Sequence, residues 1–431
     1  MKKIHIKDRL LAMSKAPSKR NVNSLYVPEP KNRPGTTPDF SDLNMPDLYS
    51  EKTHTLPRPD TMVDAYETAP LASGLVRVLT LDGRAKGPWN PQLDPDTLRL
   101  GLRNMHLTRC VDNRMFNMQR QGKSSFYMKS KGEEGIAVAA AMALKDTDMV
   151  FPSYRQQGLL LSRGYPLRDL MCQVLSNSGD KLEGKAIPIC YSSREKGFYS
   201  IGASLGTQMS HAVGWAMACA YKGTDSLSCA FTGEGATAEG DFHYALTFSS
   251  TYRAPCIINV VNNQWAISSF QGIAAGQSKT FAYRGLGFGL ASIRVDGNDF
   301  LAVYAVMKWA AARARAGGGA TVIEHYSYRM EGHSTSDDPS KYRAKDEPDA
   351  WPLGDPLERL KEHLILIGEW DEERHAAQEK ELNAYVRETY KDAESFGTLA
   401  TQTGINPATM FEQVYEDMPA HLRRQRQEAG V

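Results

Sequence analysis

The six cysteines, scattered from Cys110 to Cys256, include no CxxC pair and no His/Cys cluster at zinc spacing. A structural zinc site is thereby excluded, and a reduced, cytosolic setting fits best. Long apolar runs are missing too: "GIAVAAAMAL", from Gly135, falls well short of the ~20 residues a spanning helix needs. Charge of one sign is also lacking, since 51 Lys+Arg against 50 Asp+Glu leaves +1. Nothing global draws the chain to nucleic acid or an anionic membrane. The basic start "MKKIHIKDRLLAMSKAPSKR" has neither the apolar core nor the cleavage site of a secretory signal. Asp8 and scarce serine also count against a mitochondrial presequence, so a solvated basic tail is expected, with Met1 or Met13 as the start. There is no internal repeat and no GxxxxGK[ST] phosphate loop.

What is present is material for a substantial core, with 41% hydrophobic residues in 431. Three zones follow. Residues 1–95 comprise the basic tail and a Pro/Asp/Asn/Thr-rich stretch ("VPEPKNRPGTTPDF", "LPRPDT") expected to run as an extended arm over another surface, as arms that embrace a partner do. Residues 96–345 alternate helical patterns with short apolar strands, predicting an α/β domain with a parallel sheet flanked by helices. Residues 346–431 turn helical: "PLERLKEHLILIG" is amphipathic, and the charged run from "WDEERHAAQ" is expected to stop at Gly397, as a cap or interface.

The informative stretch is "FTGEGATAEGDF", residues 231–242, which puts Glu234 between two glycines after the strand-like "SLSCAF". "GDFHYALTFSSTYR" reads as a helix with Phe242, Ala245, Leu246 and Phe248 on its apolar stripe, and "PCIINVV" as a second strand ending in "NNQWAIS". In a right-handed βαβ unit the two strands are parallel, and their carboxyl ends open on one crevice. Glu234 and Asn263, 263 − 234 = 29 positions apart, then meet at adjacent strand ends. A carboxylate and an amide oxygen suit a hard cation such as Mg²⁺, which in turn holds phosphate oxygens. Gly233 and Gly235 let the main chain approach that phosphate, and the next helix offers free N–H groups.

Three other readings stay open on the residues alone. A dinucleotide fold wants GxGxxG and an acidic residue about 20 positions on, whereas the third glycine here is Gly240 and the second strand ends in two asparagines. A noncatalytic α/β protein could use the same pair for Mg²⁺-nucleotide. An isolated GEG is also an ordinary solvated turn.

"GEG" followed by "NN" resembles the motif with which thiamine diphosphate enzymes bind Mg²⁺ and diphosphate. More closely, the chain resembles the α subunits of branched-chain 2-oxoacid dehydrogenases of bacterial type. The likeness runs through "QRQGKSSFYMKSKGEEG", "VFPSYRQQG", "GASLGTQMSHAVG", "GEGATAEGDFH", "NNQWAIS", "IRVDGND" and "HSTSDDPSKYR". It implies a thiamine diphosphate-binding fold and oxidative decarboxylation of 2-oxoacids such as 3-methyl-2-oxobutanoate, with acyl transfer to the lipoyl domain of a dihydrolipoyl acyltransferase. Pyruvate or acetoin dehydrogenase α subunits are the neighbouring alternative. Glu234, Asn263 and the Trp265 carbonyl match Mg²⁺ ligands; Tyr154 and Arg155 match phosphate contacts; Gly233, Gly235, Ala236 and Ile267 match further cofactor positions. Leu205 matches the apolar residue that packs on the aminopyrimidine, although by pattern alone it reads as core. Phe126 and Tyr127 match the pocket for the substrate's aliphatic group, with core packing as the competing reading.

His333, in the polar loop "MEGHSTSDD", reads as an exposed imidazole and matches the family's histidine beside the thiazolium, which assists acyl transfer. Ser334 matches a position phosphorylated in mitochondrial relatives. Two departures stand out: Val261 replaces an arginine before the asparagine pair, and "IGASLG" replaces a serine-richer potassium loop, leaving Ser204, Thr207 and Gln208 as its remaining oxygens. No glutamate here suits the pyrimidine side of the cofactor. The resemblance assigns that residue to a β subunit, implying an α₂β₂ assembly with a shared site.

Overall fold

The computed structural model describes residues 27–278, 280–401 and 406–431. The basic tail and both candidate starts lie outside the described residues. Five parallel strands form the central sheet: β1 (Met149–Phe151), β2 (Ser228–Gly233), β3 (Cys256–Asn262), β6 (Ala291–Asp296) and β7 (Thr321–Tyr326), in the order β1-β2-β3-β7-β6. A two-residue ribbon, β4 (Trp265–Ala266) with β5 (Ser269–Phe270), stands apart. The strands β3, β6 and β7 are buried along their whole length because helices cover both faces, as in a parallel sheet of this kind.

One face carries α1 (Pro95–Arg120), α2 (Glu134–Ala143) and α5 (Phe300–Arg315), and their apolar sides share one core with Ile257, Ile293 and Val295 of the sheet. Asp94 caps α1 by accepting from Thr97 N at 2.9 Å, with Pro95 in the first turn where its missing N–H costs nothing. The other face carries α3 (Thr207–Lys222) and α4 (Gly240–Tyr252), which pack on Ala230, Ile258 and Val260. Gly223, at φ +65°, closes α3. On α4 the buried residues are Phe242, Ala245, Leu246 and Ser249. Phe248 is exposed, because at about 100° per residue position 248 points well away from that face.

The arm lies on its own chain. Phe40, Leu43, Met45 and Leu48 pack against Tyr326, Tyr328 and Trp351 beyond the carboxyl end of β7. Among the described residues the arm forms no strand of its own and gives carbonyls to side chains: Arg294 Nη1 reaches Asn44 O at 2.7 Å, Trp309 Nε1 reaches Pro59 O at 2.9 Å, and Arg313 Nη1 reaches Val63 O at 2.8 Å. The C-terminal helices α6 (Pro356–Leu366) and α7 (Glu372–Glu394) bury Leu357, Leu360, Leu382 and Val386 in the core shared with the sheet. Helix α7 ends at Glu394, three residues before the glycine expected to stop it. Among the described residues no helix is long and apolar enough to cross a membrane, and all six cysteines are free and buried.

Candidate active site

The crevice at the carboxyl ends of β2 and β3 holds the predicted pair. The strands pair in parallel from Ser228↔Cys256 to Gly233↔Val261, so Glu234 and Asn263 emerge side by side. Glu234 Oε2 accepts from Asn263 N at 3.4 Å, while Glu234 Oε1 is buried with no hydrogen-bond partner among the described residues. Burial first, and the nearby Glu133 carboxylate, push its pKa up to about 7. An orphaned, desolvated carboxylate oxygen is costly unless a cation meets it. That donor set fits Mg²⁺: one carboxylate and one amide, with water and phosphate oxygens to complete the octahedron. The Trp265 carbonyl accepts from Arg329 Nη1 at 2.8 Å, which uses one of its two lone pairs.

Glycine 235 is required by its neighbour. A Cβ there would stand 2.4 Å from the Ala266 Cβ, whereas one at Gly233 would meet nothing within 4 Å. The open space at Gly233 suits the close approach expected of it; the constraint at Gly235 is protein packing. Ala236, buried, sits in a 3-10 turn (Gly235–Ala238), so α4 begins only at Gly240. The free N–H groups next to Glu234 are therefore those of this turn and not of the helix. Gly235→Ala is expected to weaken Mg²⁺ binding, and adding Ala266→Gly should recover it. Isothermal titration of the two variants checks this, and no recovery would contradict the packing argument.

Arg155 and His333 meet across the crevice. The Arg155 guanidinium is buried; its Nη2 donates to His333 O at 2.6 Å and lies 3.1 Å from His333 Nδ1. Tyr154, half-buried, sets its ring edge-on to His333 at 5.7 Å. His333 is thus not the exposed imidazole its polar loop suggested: burial first, then Arg155 and Arg329, lower its pKa to about 3. A guanidinium has no acceptor, so Nδ1 must accept and the neutral ring carries its proton on Nε2. In this pKa range the unfolded chain takes up a proton at about pH 6.5 that the folded chain refuses, so this contribution to stability falls as pH drops from 6.5 towards 3. In the cofactor-free protein the His333 resonance, assigned by loss in His333→Gln, should not titrate between pH 5.5 and 8; a midpoint near 6.5 would refute the assignment.

The remaining predicted residues divide. Tyr127 follows the packing reading: its ring is fully buried and its hydroxyl donates to Asp112 Oδ1 at 2.8 Å. Its backbone exchanges bonds with Thr335, two residues after His333, which brings the half-buried Phe126 to the His333 loop. Ser334 is half-buried, its hydroxyl accepting from Ser336 N at 3.2 Å. Leu205 is 45% exposed, which overturns its reading as core. Gln208 donates to Phe231 O at 2.8 Å, and Thr207 to Ser204 O at 2.9 Å. Ile267 is a β-branched residue at φ +55°, a conformation costing roughly 1–3 kcal/mol that persists only where surroundings impose it. Arg329 imposes it, donating from Nη2 to Ile267 O at 2.8 Å.

Two buried residues escaped the sequence reading. Arg329 grips the 265–267 turn, and Glu133 accepts from Asn263 Nδ2 at 2.7 Å. Their only sequence signal is a polar residue in an otherwise apolar or turn setting, in "YSYRM" and "KGEEG".

Residues 102–402 match the family described as dehydrogenase E1 component, and residues 22–66 the family described as 2-oxoisovalerate dehydrogenase E1 alpha subunit N terminal. The chain belongs to the dehydrogenase E1 component family. Among its relatives, a 2-oxoisovalerate dehydrogenase subunit alpha of Pseudomonas aeruginosa is 56% identical over 407 residues, covering 94% of this chain and 98% of that one. The mitochondrial 2-oxoisovalerate dehydrogenase subunit alpha of Bos taurus is 39% identical over 362 residues, covering 82% and 76%. A 3-methyl-2-oxobutanoate dehydrogenase subunit alpha of Mycobacterium tuberculosis is 37% identical over 379 residues, covering 86% and 96%. In this E1 chain the parallel sheet and the crevice at its carboxyl edge are the fold expected of a thiamine diphosphate enzyme.

Proposed function

We propose that this E1 chain is the α subunit of a branched-chain 2-oxoacid dehydrogenase, acting with a β subunit in an α₂β₂ assembly. It decarboxylates 3-methyl-2-oxobutanoate and related branched 2-oxoacids and passes the acyl group to the lipoyl domain of a dihydrolipoyl acyltransferase. The observation that carries this reading is the orphaned Glu234 oxygen beside Asn263, in a chain 56% identical to a 2-oxoisovalerate dehydrogenase α subunit. That relative's bacterial origin supports a cytoplasmic setting and a role in branched-chain amino acid catabolism.

Thiamine diphosphate, when bound, supplies the carbanion equivalent and electron sink that loss of CO₂ from a 2-oxoacid needs. This chain's part is to hold and to shield. Glu234 and Asn263 would hold Mg²⁺ through their oxygens, and the Trp265 carbonyl keeps a free lone pair that could serve as a further ligand. Arg155 and Tyr154 bring a buried positive charge and a hydroxyl to the diphosphate side, and Gly233, Ala236 and Ile267 line it. His333 offers an Nε2–H to negative charge that develops during acyl transfer, a role worth about 10²–10⁴ in rate for a well-placed proton donor. Leu205, exposed in this chain, would offer an apolar contact to the aminopyrimidine, and Phe126 would offer one to the aliphatic group of the substrate. Ser204, Thr207 and Gln208 are the oxygens available to a potassium ion.

The test is turnover by the chain co-expressed with its β subunit, given thiamine diphosphate and Mg²⁺ and an artificial electron acceptor. Faster turnover of 3-methyl-2-oxobutanoate than of pyruvate is expected. Faster pyruvate turnover would move the chain to the pyruvate or acetoin branch, and Mg²⁺-ATP binding without response to thiamine diphosphate would favour the nucleotide-binding reading.

A further inference from the structure

Glu133 occupies the N-cap position of α2, where short Ser, Thr, Asp or Asn side chains normally bond back to the helix. Its side chain makes no cap bond. Instead it crosses 130 positions of sequence to Asn263, whose Nδ2 donates to Glu133 Oε1 at 2.7 Å. The carboxylate is 3% exposed, and its second partner is Arg155, with Nε 3.7 Å away. A buried carboxylate is retained at a substantial desolvation cost unless partnered, and both partners here belong to the candidate site.

The backbone beneath Glu133 is fixed from two sides. Gly132 stands at φ +98°, and a Cβ on it would lie 2.2 Å from the Tyr328 carbonyl oxygen. Ser327 Oγ donates to Gly132 O at 2.8 Å, and Glu133 N donates to Ser130 O at 2.8 Å. The carboxylate is therefore presented to Asn263 by a rigid turn. An asparagine amide has two faces of opposite character, and a flipped one would aim its NH₂ at a cation. With Nδ2 engaged by Glu133, Oδ1 is left on the other branch, 3.3 Å from Trp265 N.

Resting on the reading of Glu234 and Asn263 as cation ligands, we propose that Glu133 is a positioning residue that selects the metal-binding orientation of the Asn263 amide and ties it to Arg155. Residues that orient a ligand from behind it change metal affinity by about 10–100-fold when altered. Reach, and not charge, is what the hydrogen bond demands. Glu133→Asp keeps the charge but withdraws the oxygen by one methylene; Glu133→Gln keeps the reach and an acceptor oxygen.

The experiment is titration of Mn²⁺, followed by the loss of its free EPR signal, into the α–β assembly with thiamine diphosphate present. Wild type, Glu133→Asp, Glu133→Gln and Glu234→Ala are compared, each with its thermal midpoint. Glu133→Asp should weaken Mn²⁺ by about tenfold or more while Glu133→Gln stays within about threefold of wild type. The reverse order, or a shift in midpoint with Mn²⁺ affinity unmoved in both, would overturn the assignment. If Glu234→Ala itself binds Mn²⁺ like wild type, the cation reading fails and takes this inference with it; if only Glu234→Ala is impaired, the inference alone fails.

Discussion

Glu234→Gln is expected to abolish Mg²⁺-dependent retention of thiamine diphosphate, by two or more orders of magnitude in affinity, while the cofactor-free thermal midpoint does not fall. The two halves of this result come from one cause. Burial, with Oε1 left unpartnered, and the nearby Glu133 carboxylate raise the pKa of Glu234 to about 7, so the ionised form is held in the fold against its own solvation. A neutral amide of the same shape removes that burden and also removes the charge that a cation needs. Equilibrium binding of the cofactor with and without chelator, beside a melting curve, reads both. Wild-type retention would dismiss Glu234 as a ligand, and a collapse of the midpoint would mean that the carboxylate is structural.

His333→Ala should spare cofactor affinity and lower the rate of acyl transfer to the lipoyl domain by about 10²–10⁴-fold. The tautomer argument makes this specific. Arg155 takes Nδ1, so the group that His333 has available for a reacting atom is Nε2–H. Cofactor binding should survive because Arg155 keeps its bond to the residue-333 carbonyl, which alanine also carries. Measuring transfer to a lipoyl domain against turnover with an artificial electron acceptor separates the steps. Equal loss in both would place His333 in decarboxylation, and no loss in either would remove it from the mechanism.

Both residues were legible in the sequence for different reasons. Glu234 and Asn263 follow from local patterns, since two apolar runs 29 positions apart with a helical stripe between them fix a βαβ unit and hence the juxtaposition of its strand ends. His333 was found through motif resemblance, and its environment was misjudged. Composition called the "MEGHSTSDD" loop polar and exposed, yet the loop folds inward because Arg155, from another part of the chain, needs its carbonyl. Glu133 and Arg329 lay beyond reach of local patterns altogether: each acts across 62 to 130 positions, a pairing that neither periodicity nor propensity encodes. Leu205 failed in the opposite sense. An apolar residue before a well-packed helix reads as core, yet Leu205 stands outside that packing and is 45% exposed. The arm shows the same limit, since proline-rich text predicts extension but not that Arg294, Trp309 and Arg313 bind it to its own chain.

The most direct measurement is anomalous diffraction from crystals of the α–β assembly grown with Mn²⁺ and thiamine diphosphate. One strong manganese peak per α subunit, at about 2.1 Å from both Glu234 Oε1 and Asn263 Oδ1, with diphosphate oxygens completing the shell, is the predicted result. Bound cofactor with its metal held by other side chains, and Glu234 Oε1 still without a partner, would contradict it.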